Sequence, residues 1–111
     1  MPSKAFLIGS GTLGRGDDQL GSMLMASFLR LLGESNELPE KIMFWNGGVR
    51  LVCEGSPVLE HVSKLEQEGV EVLACTTCLE FFDLMDKQKV GKPTTMGRSV
   101  ESMMGLDVVS L

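Results

Sequence analysis

Short apolar runs alternate with segments of helical periodicity along the whole chain. Continuous or alternating apolar runs predict strands, and apolar residues that recur every three or four positions predict helices. The predicted strands cover residues 4–9, 41–45, 70–74, 94–97 and 107–111. The predicted helices lie at 17–33, 57–69, 79–85 and 100–104, and residues 49–53 form a short apolar turn or helix. Strands that alternate with helices predict a parallel sheet with right-handed crossovers and helices on both faces.

Polar and glycine residues mark the ends of the predicted helices. Asp17 or Asp18 is the expected N-cap of the first helix and Gly33 its end, while Ser56 and Ser99 are the expected caps of two later helices. The first helix is apolar around most of its circumference, at Leu20, Met23, Leu24, Met25, Phe28, Leu29, Leu31 and Leu32. A helix that is apolar on two sides usually has two neighbours, so we expect part of it to contact another subunit.

Length and charge narrow the classes of function. A chain of 111 residues is the size of one ordinary domain, so we predict a single domain over residues 1–111. The net charge is −5, and the only basic grouping is the scattered Lys87, Lys89 and Lys92, which argues against nucleic-acid binding. No apolar run approaches the roughly 20 residues that cross a bilayer, and the first residues do not resemble a secretory signal. We therefore expect a cytoplasmic protein that binds other proteins or small molecules and does not bind membranes.

Two cysteines follow the third predicted strand, in the segment Cys75-Thr76-Thr77-Cys78. Ligands and chemistry collect at the carboxyl ends of the strands in open α/β sheets. If a helix begins at Leu79, Cys78 lies at its N-terminus, where unpaired amides and the helix dipole favour a thiolate. We therefore predict that Cys78 is a nucleophilic sulfur.

Other interpretations of the cysteine pair remain open at this point. Cys75 and Cys78 are also consistent with two small, partly buried apolar residues or with a dithiol redox pair. A structural zinc site would need about four ligands, and the other candidates are Cys53 and His61 without a second CxxC motif. We predict neither a metal ion nor a cofactor.

A glycine-rich loop follows the first strand, and its sequence from residue 9 to 14 fits GxGxxG. Asp17 and Asp18 occupy the place that a pyrophosphate would approach, and Asn46 ends the second strand in place of an acidic ribose ligand. The loop is therefore interpreted as structural or substrate-shaping, or as an anion site formed by amides. We expect it to line one crevice with the turn after the second strand and with the cysteine segment. The candidate substrate-binding residues are Gly11, Thr12, Gly14, Asn46, Gly47, Thr76 and Thr77.

Four segments in order resemble the YedF-type branch of the DsrE/DsrF-like sulfur-relay family: SGTLGRGDDQLG, FWNGGVRL, LEQEGVEVLACTTCLEFFDL and VGKPTTM. The resemblance implies a three-layer α/β/α sandwich with a mainly parallel five-stranded sheet, homo-oligomers, and a cysteine that carries sulfur as a persulfide. The reactive position of the family falls on Cys78. This chain has Thr76 where YedF-type sequences usually have glycine, and the added side chain is expected to narrow the approach to Cys78.

The resemblance implies a sulfurtransferase-like carrier that relays sulfane sulfur, or selenium, between donor and acceptor proteins. Because YedF-type proteins commonly contain an N-terminal TusA-like module, a TusA-like domain is an expected partner. Cys75 is then either a resolving thiol or a packing residue. The alternatives are a non-catalytic binding or assembly module of the same fold and a CxxC dithiol oxidoreductase.

Overall fold

Five parallel strands form one sheet in the computed structural model, which describes residues 3–111. The order across the sheet is β4-β3-β2-β1-β5, so β2 lies at its centre. The strands are β1 (Lys4–Ile8), β2 (Lys41–Phe44), β3 (Glu71–Cys75), β4 (Lys92–Thr94) and β5 (Asp107–Ser110). Every paired neighbour is parallel, which confirms the sheet expected from alternating strands and helices.

Helices cover the two faces of the sheet unequally. They are α1 (Asp18–Glu34), α2 (Leu59–Gln67), α3 (Thr76–Phe81) and α4 (Met96–Gly105), with a 3-10 helix at Asn46–Val52. Residues of α1, α2, α3 and the 3-10 helix share one large core cluster with Ile42, Phe44 and Val72 of the sheet. On the other face, Met103 of α4 packs against a smaller cluster that includes Leu7 and Met43. This is the predicted three-layer α/β/α architecture.

The central strands are buried on both faces, as parallel strands between helices must be. Ile42 and Phe44 of β2 face the large cluster, and Met43 between them faces the small one. β2 and β3 pair in register up to Phe44 and Ala74. The segments that leave these two strands therefore start side by side at the carboxyl edge of the sheet.

The C-terminal helix begins earlier than the sequence predicts. Residues 94–97 were expected to form a strand with Ser99 as the following cap, but β4 ends at Thr94 and α4 begins at Met96. The cap is Thr95, whose hydroxyl accepts a hydrogen bond from the backbone N–H of Arg98 at 3.2 Å. Ser99 is buried inside the helix and donates to the carbonyl oxygen of Thr95. Thr95 and Ser99 are four positions apart, and both have a hydroxyl group that suits a cap. Because Ser99 is buried within the helix, Thr95 is the residue that caps it.

Two other helix boundaries also differ from the prediction. α1 begins after the expected cap Asp17, which accepts from the N–H of Leu20, but it continues through Gly33 to Glu34. α2 begins at Leu59, because Ser56 caps only the preceding turn by accepting from the N–H of Val58. No helix within residues 3–111 is long and apolar enough to cross a membrane.

The apolar surface of α1 divides into a buried side and an exposed side. Met25 is only 1% exposed and, with Leu29, belongs to the large core cluster. The large apolar side chains that remain exposed on this helix are Leu20, Met23, Leu24 and Leu31. We call these four residues the α1 stripe. Met25 therefore contributes to the core and is not part of the surface that a partner would contact.

Gly48 provides a test of how the 3-10 helix is seated on the sheet. A Cβ atom at Gly48 would clash with the backbone carbonyl oxygen of Ile8, whereas a Cβ at the adjacent Gly47 meets nothing within 4 Å. Gly48→Ala should therefore lower the free energy of unfolding by about 1–3 kcal/mol, the usual cost of overpacking a rigid site. Chemical denaturation measures this value. Gly47→Ala is the matched control, and equal destabilisation by both substitutions would contradict the close approach.

Candidate functional site

Cys78 lies in the first turn of α3, at the carboxyl edge of the sheet. The helix begins at Thr76 with Cys75 as its N-cap residue, three residues before the start that the sequence suggests. Cys78 is consequently the third residue of the helix and not the residue before it. Its side chain is partly exposed and packs against the rim of the large core cluster. Cys78 is therefore partly accessible from solvent, and its side chain also contacts protein.

A backbone amide from the neighbouring strand connection points at this sulfur. The N–H of Asn46 donates a hydrogen bond to Cys78 Sγ over 3.0 Å. Asn46 has a φ of 49°, in the left-handed region that asparagine tolerates better than most side chains. The turn from β2 into the 3-10 helix thus aims an N–H group at the first turn of α3. A donor in this position favours the thiolate form of Cys78.

Burial works against that donor. The pKa of the Cys78 thiol is raised above its ordinary value, chiefly because partial burial disfavours the charged form. The Asn46 amide lowers the pKa, and the neighbouring Cys75 thiol raises it again by hydrogen bonding and by charge. The sequence predicted a thiol activated by helix amides, so the net direction of the shift corrects that expectation. Glu80 and Asp83 are exposed and are not among the causes of the shift.

The other two cysteines are more deeply placed. Cys75 is 4% exposed, at the end of β3 within the large core cluster. Cys53 is also buried; its thiol donates to the carbonyl oxygen of Val49 at 3.2 Å, and burial raises its pKa. Across residues 3–111, no three His, Cys, Asp or Glu side chains are grouped as a metal ion would require. Cys78 is therefore the most accessible of the three thiols.

The threonines between the paired cysteines have different surroundings. Thr76 donates from its hydroxyl to the carbonyl oxygen of Thr94 at 2.9 Å, which ties the start of α3 to the end of β4. Thr77 is exposed beside Cys78. Gly47 follows Asn46 at the start of the 3-10 helix and is partly exposed. Of these candidate residues, Thr76 uses its O–H in an intramolecular hydrogen bond, so its hydroxyl oxygen could contact a substrate only as an acceptor.

Two residues of the glycine loop line a cleft. Gly11 and Thr12 line a cleft of about 380 Å³ whose walls come from α1, the 3-10 helix and the turn before α2, and Cys78 is not part of that lining. Gly14 is exposed in the same loop and has a positive φ of 81°. Gly11 and Thr12 therefore lie at this cleft, whereas Asn46 lies beside the Cys78 sulfur.

Sequence reasoning also missed an arginine between these two places. Arg50 lies in the 3-10 helix, and its guanidinium carbon is 4.5 Å from the centre of the Phe82 ring. This distance is within the range of a cation–π contact. A single arginine in an apolar turn carries no sequence signal of such a contact, because Phe82, the residue that follows α3, is thirty-two positions later in the chain.

Asn46 provides a test of the amide donor. Asn46→Val should raise the pKa of Cys78 further, because a β-branched residue disfavours a positive φ and would move the N–H away from the sulfur. Asn46→Gly is the matched control, since glycine adopts this conformation freely and keeps the N–H in place. The pH dependence of iodoacetamide alkylation, assigned to Cys78 by peptide mass spectrometry, measures the change. Identical pH profiles for the two variants would show that the amide has no influence on the thiol.

Solved structures of three other proteins share this fold. Protein MTH1491 of Methanobacterium thermoautotrophicum, a protein of unknown function, aligns over 97% of both chains with a TM-score of 0.71 and 20% identity. The YchN protein of E. coli aligns over 98% of this chain and 99% of its own with a TM-score of 0.70 and 14% identity. BT1422 of Bacteroides thetaiotaomicron aligns over 98% of this chain and 95% of its own, with a TM-score of 0.64 and 16% identity. The sequence matches no protein family profile and no curated protein. These likenesses establish the fold of the chain.

Proposed function

We propose that this protein relays sulfane sulfur as a persulfide on Cys78. The observation that carries the proposal is the partly exposed Cys78 at the carboxyl edge of the sheet, with the Asn46 backbone nitrogen 3.0 Å from its Sγ atom. The resemblance of the sequence to YedF-type members of the DsrE/DsrF-like family supports the same assignment. Selenium in place of sulfur would use the same site.

The chemistry needs one thiolate and two partners in turn. The Cys78 thiolate attacks the outer sulfur of a donor persulfide; a new S–S bond forms on Cys78, and the donor leaves as a thiolate. An acceptor thiolate then attacks the outer sulfur, and the Cys78 thiolate departs. The Asn46 N–H is placed to stabilise the negative sulfur at the start and end of the cycle.

The raised pKa of Cys78 is more consistent with a sulfur carrier than with a cysteine that reacts rapidly without a partner. Near neutral pH most of the sulfur is protonated, since burial and Cys75 hold its pKa above the ordinary range. Spontaneous reaction with small oxidants and electrophiles is consequently slow. A docked partner that supplies a base or a positive group would increase the thiolate fraction only when transfer is due.

An exposed aromatic residue beside Cys78 favours protein partners. Phe81 lies on the same helix three residues later and is 82% exposed. Residues three apart on a helix share a face, so a surface that reaches Cys78 also meets the Phe81 ring. Aromatic side chains are enriched where proteins bind one another. A cytoplasmic TusA-like domain that presents a cysteine persulfide is the class of donor or acceptor we propose.

Intact mass spectrometry after incubation with glutathione persulfide tests the relay. Wild type and Cys53→Ser should gain one sulfur atom, and Cys78→Ser should gain none. The rate of loading should rise about tenfold per pH unit below the pKa of Cys78, because only the thiolate attacks. Equal sulfur gain by wild type and Cys78→Ser would refute the relay.

Cys75→Ser separates this relay from a dithiol reaction. Cys75 is the N-cap residue of α3 and Cys78 lies in the first turn of the same helix, and this CxxC placement is the observation that favours an oxidoreductase as the alternative. A relay on Cys78 predicts that Cys75→Ser still loads sulfur. A dithiol enzyme predicts that it loses a reversible disulfide with a defined reduction potential, which titration in glutathione buffers would detect.

The α1 stripe supports a second function, assembly of copies of this chain. Leu20, Met23, Leu24 and Leu31 lie on one side of a helix whose other side packs on the sheet. Four large apolar side chains on one exposed face are more than scattered surface residues. A second copy would cover the stripe without involving the thiols, and homo-oligomers are also what the sequence resemblance implies.

Light scattering on size-exclusion eluates tests this assembly. Leu24 is 44% exposed, so Leu24→Glu should leave the fold intact and shift the protein from an oligomer to a monomer by placing a charge in the contact. Gln19→Glu adds a charge to the same helix outside the stripe and should leave the oligomer unchanged. A wild-type monomer, or an oligomer that survives Leu24→Glu, would contradict the assembly.

A further inference from the structure

The cleft beside the glycine loop has the dimensions of a small-molecule site. Its volume is about 380 Å³, and sites for small ligands usually occupy about 300–1,000 Å³. It lies between the N-terminal half of α1, the end of the 3-10 helix and the turn that leads into α2. Cys78 is outside its lining, so the cleft is separate from the proposed sulfur site.

The floor of the cleft is apolar. Met25, Leu51 and Val58 line it from three different elements, and each is 5% exposed or less. Leu84, which is partly buried, adds a fourth apolar side chain from the segment after α3. A ligand that enters the cleft would therefore meet apolar side chains and would need an apolar body to fit.

The charges at the rim are unequal. Glu54 lines the cleft, but its carboxylate forms an ion pair with Lys87 at 3.7 Å. Arg50 also lines the cleft and forms no ion pair with any residue between 3 and 111; its guanidinium lies over the Phe82 ring. Stacking on an aromatic ring leaves the N–H groups at the edge of the guanidinium free to donate. The rim thus presents one uncompensated cation.

Hydroxyl groups add donors near this cation. Ser22 of α1 and Ser56 before α2 both line the cleft. Ser56 accepts a hydrogen bond from the N–H of Val58, so its own O–H remains available to donate. An apolar floor below a guanidinium and two hydroxyl groups is complementary to a ligand with an apolar body and one anionic end.

We propose that this cleft binds a small organic anion, namely a carboxylate with an aromatic or branched aliphatic body. The Arg50 guanidinium pairs with the carboxylate, and the apolar body lies on Met25, Leu51 and Val58. Binding here is independent of the persulfide on Cys78. Loss of one function therefore leaves the other measurable.

Amide NMR spectra of the full chain, titrated with naphthoate, test the site. Saturable shifts should appear at the backbone amides of Gly11, Leu51 and Gly55. Naphthalenemethanol has the same apolar body without the charge, and it should bind the same residues about tenfold more weakly. Shifts confined to the α1 stripe, or shifts that do not saturate, would overturn the proposal.

Three variants separate the contribution of the Arg50 charge to binding of the probes from the contribution of the cleft itself. Arg50→Met should weaken naphthoate about tenfold and leave naphthalenemethanol unchanged, because it removes the charge and keeps an apolar stem. Arg98→Met removes a charge from α4, outside the cleft, and is the matched control that should bind both probes normally. Ser22→Trp, at an exposed position of the rim, should fill the cleft and abolish both interactions. Equal naphthoate affinity for Arg50→Met and Arg98→Met would overturn the assignment of the anion.

Discussion

Parallel pairing between β2 and β3 is the constraint on which the site depends. The two strands pair in register up to Phe44 and Ala74, so the segments that follow them leave the carboxyl edge of the sheet side by side. One exit is the turn at Asn46 and the other is the first turn of α3. Their separation in space is set by the spacing of adjacent strands, about 5 Å, and a hydrogen bond between them follows from small local adjustments. A shift of register by one residue would turn every side chain of β3 to the other face and separate the sulfur from its donor.

Opposing effects meet at the Cys78 sulfur. Contact with the core and with Cys75 disfavours the charge, and the Asn46 amide favours it. The same contact that raises the pKa also shields one side of the sulfur, which a carrier of a labile persulfide requires. Because the donor is a backbone N–H in a constrained turn, it needs little reorganisation when the sulfur becomes negative. The site therefore combines a protected thiol with a stabiliser that is already in place.

The positions of the cleft and of the α1 stripe follow from the unequal coverage of the two faces of the sheet. α1, α2, α3 and the 3-10 helix crowd one face, and the space left between them forms the cleft near Arg50. α1 has more apolar residues than the sheet can cover, so the α1 stripe faces outward. The cleft, the stripe and the sulfur lie on different parts of the surface. The proposed ligand binding, assembly and sulfur transfer are thus testable separately by single substitutions.

The sequence by itself determined the order of strands and helices, the parallel sheet and the position of the cysteine pair at a strand end, because these follow from periodicity and from the rule that parallel strands need crossovers. It did not determine the start of α3 or of α4, where several residues suit a cap and packing selects one. Nor did it show which side of α1 is buried, since that helix is apolar on both sides. The net pKa direction at Cys78, the Asn46 donor and the Arg50 cleft were decided only by tertiary structure, because each depends on groups that are distant in sequence and adjacent in space.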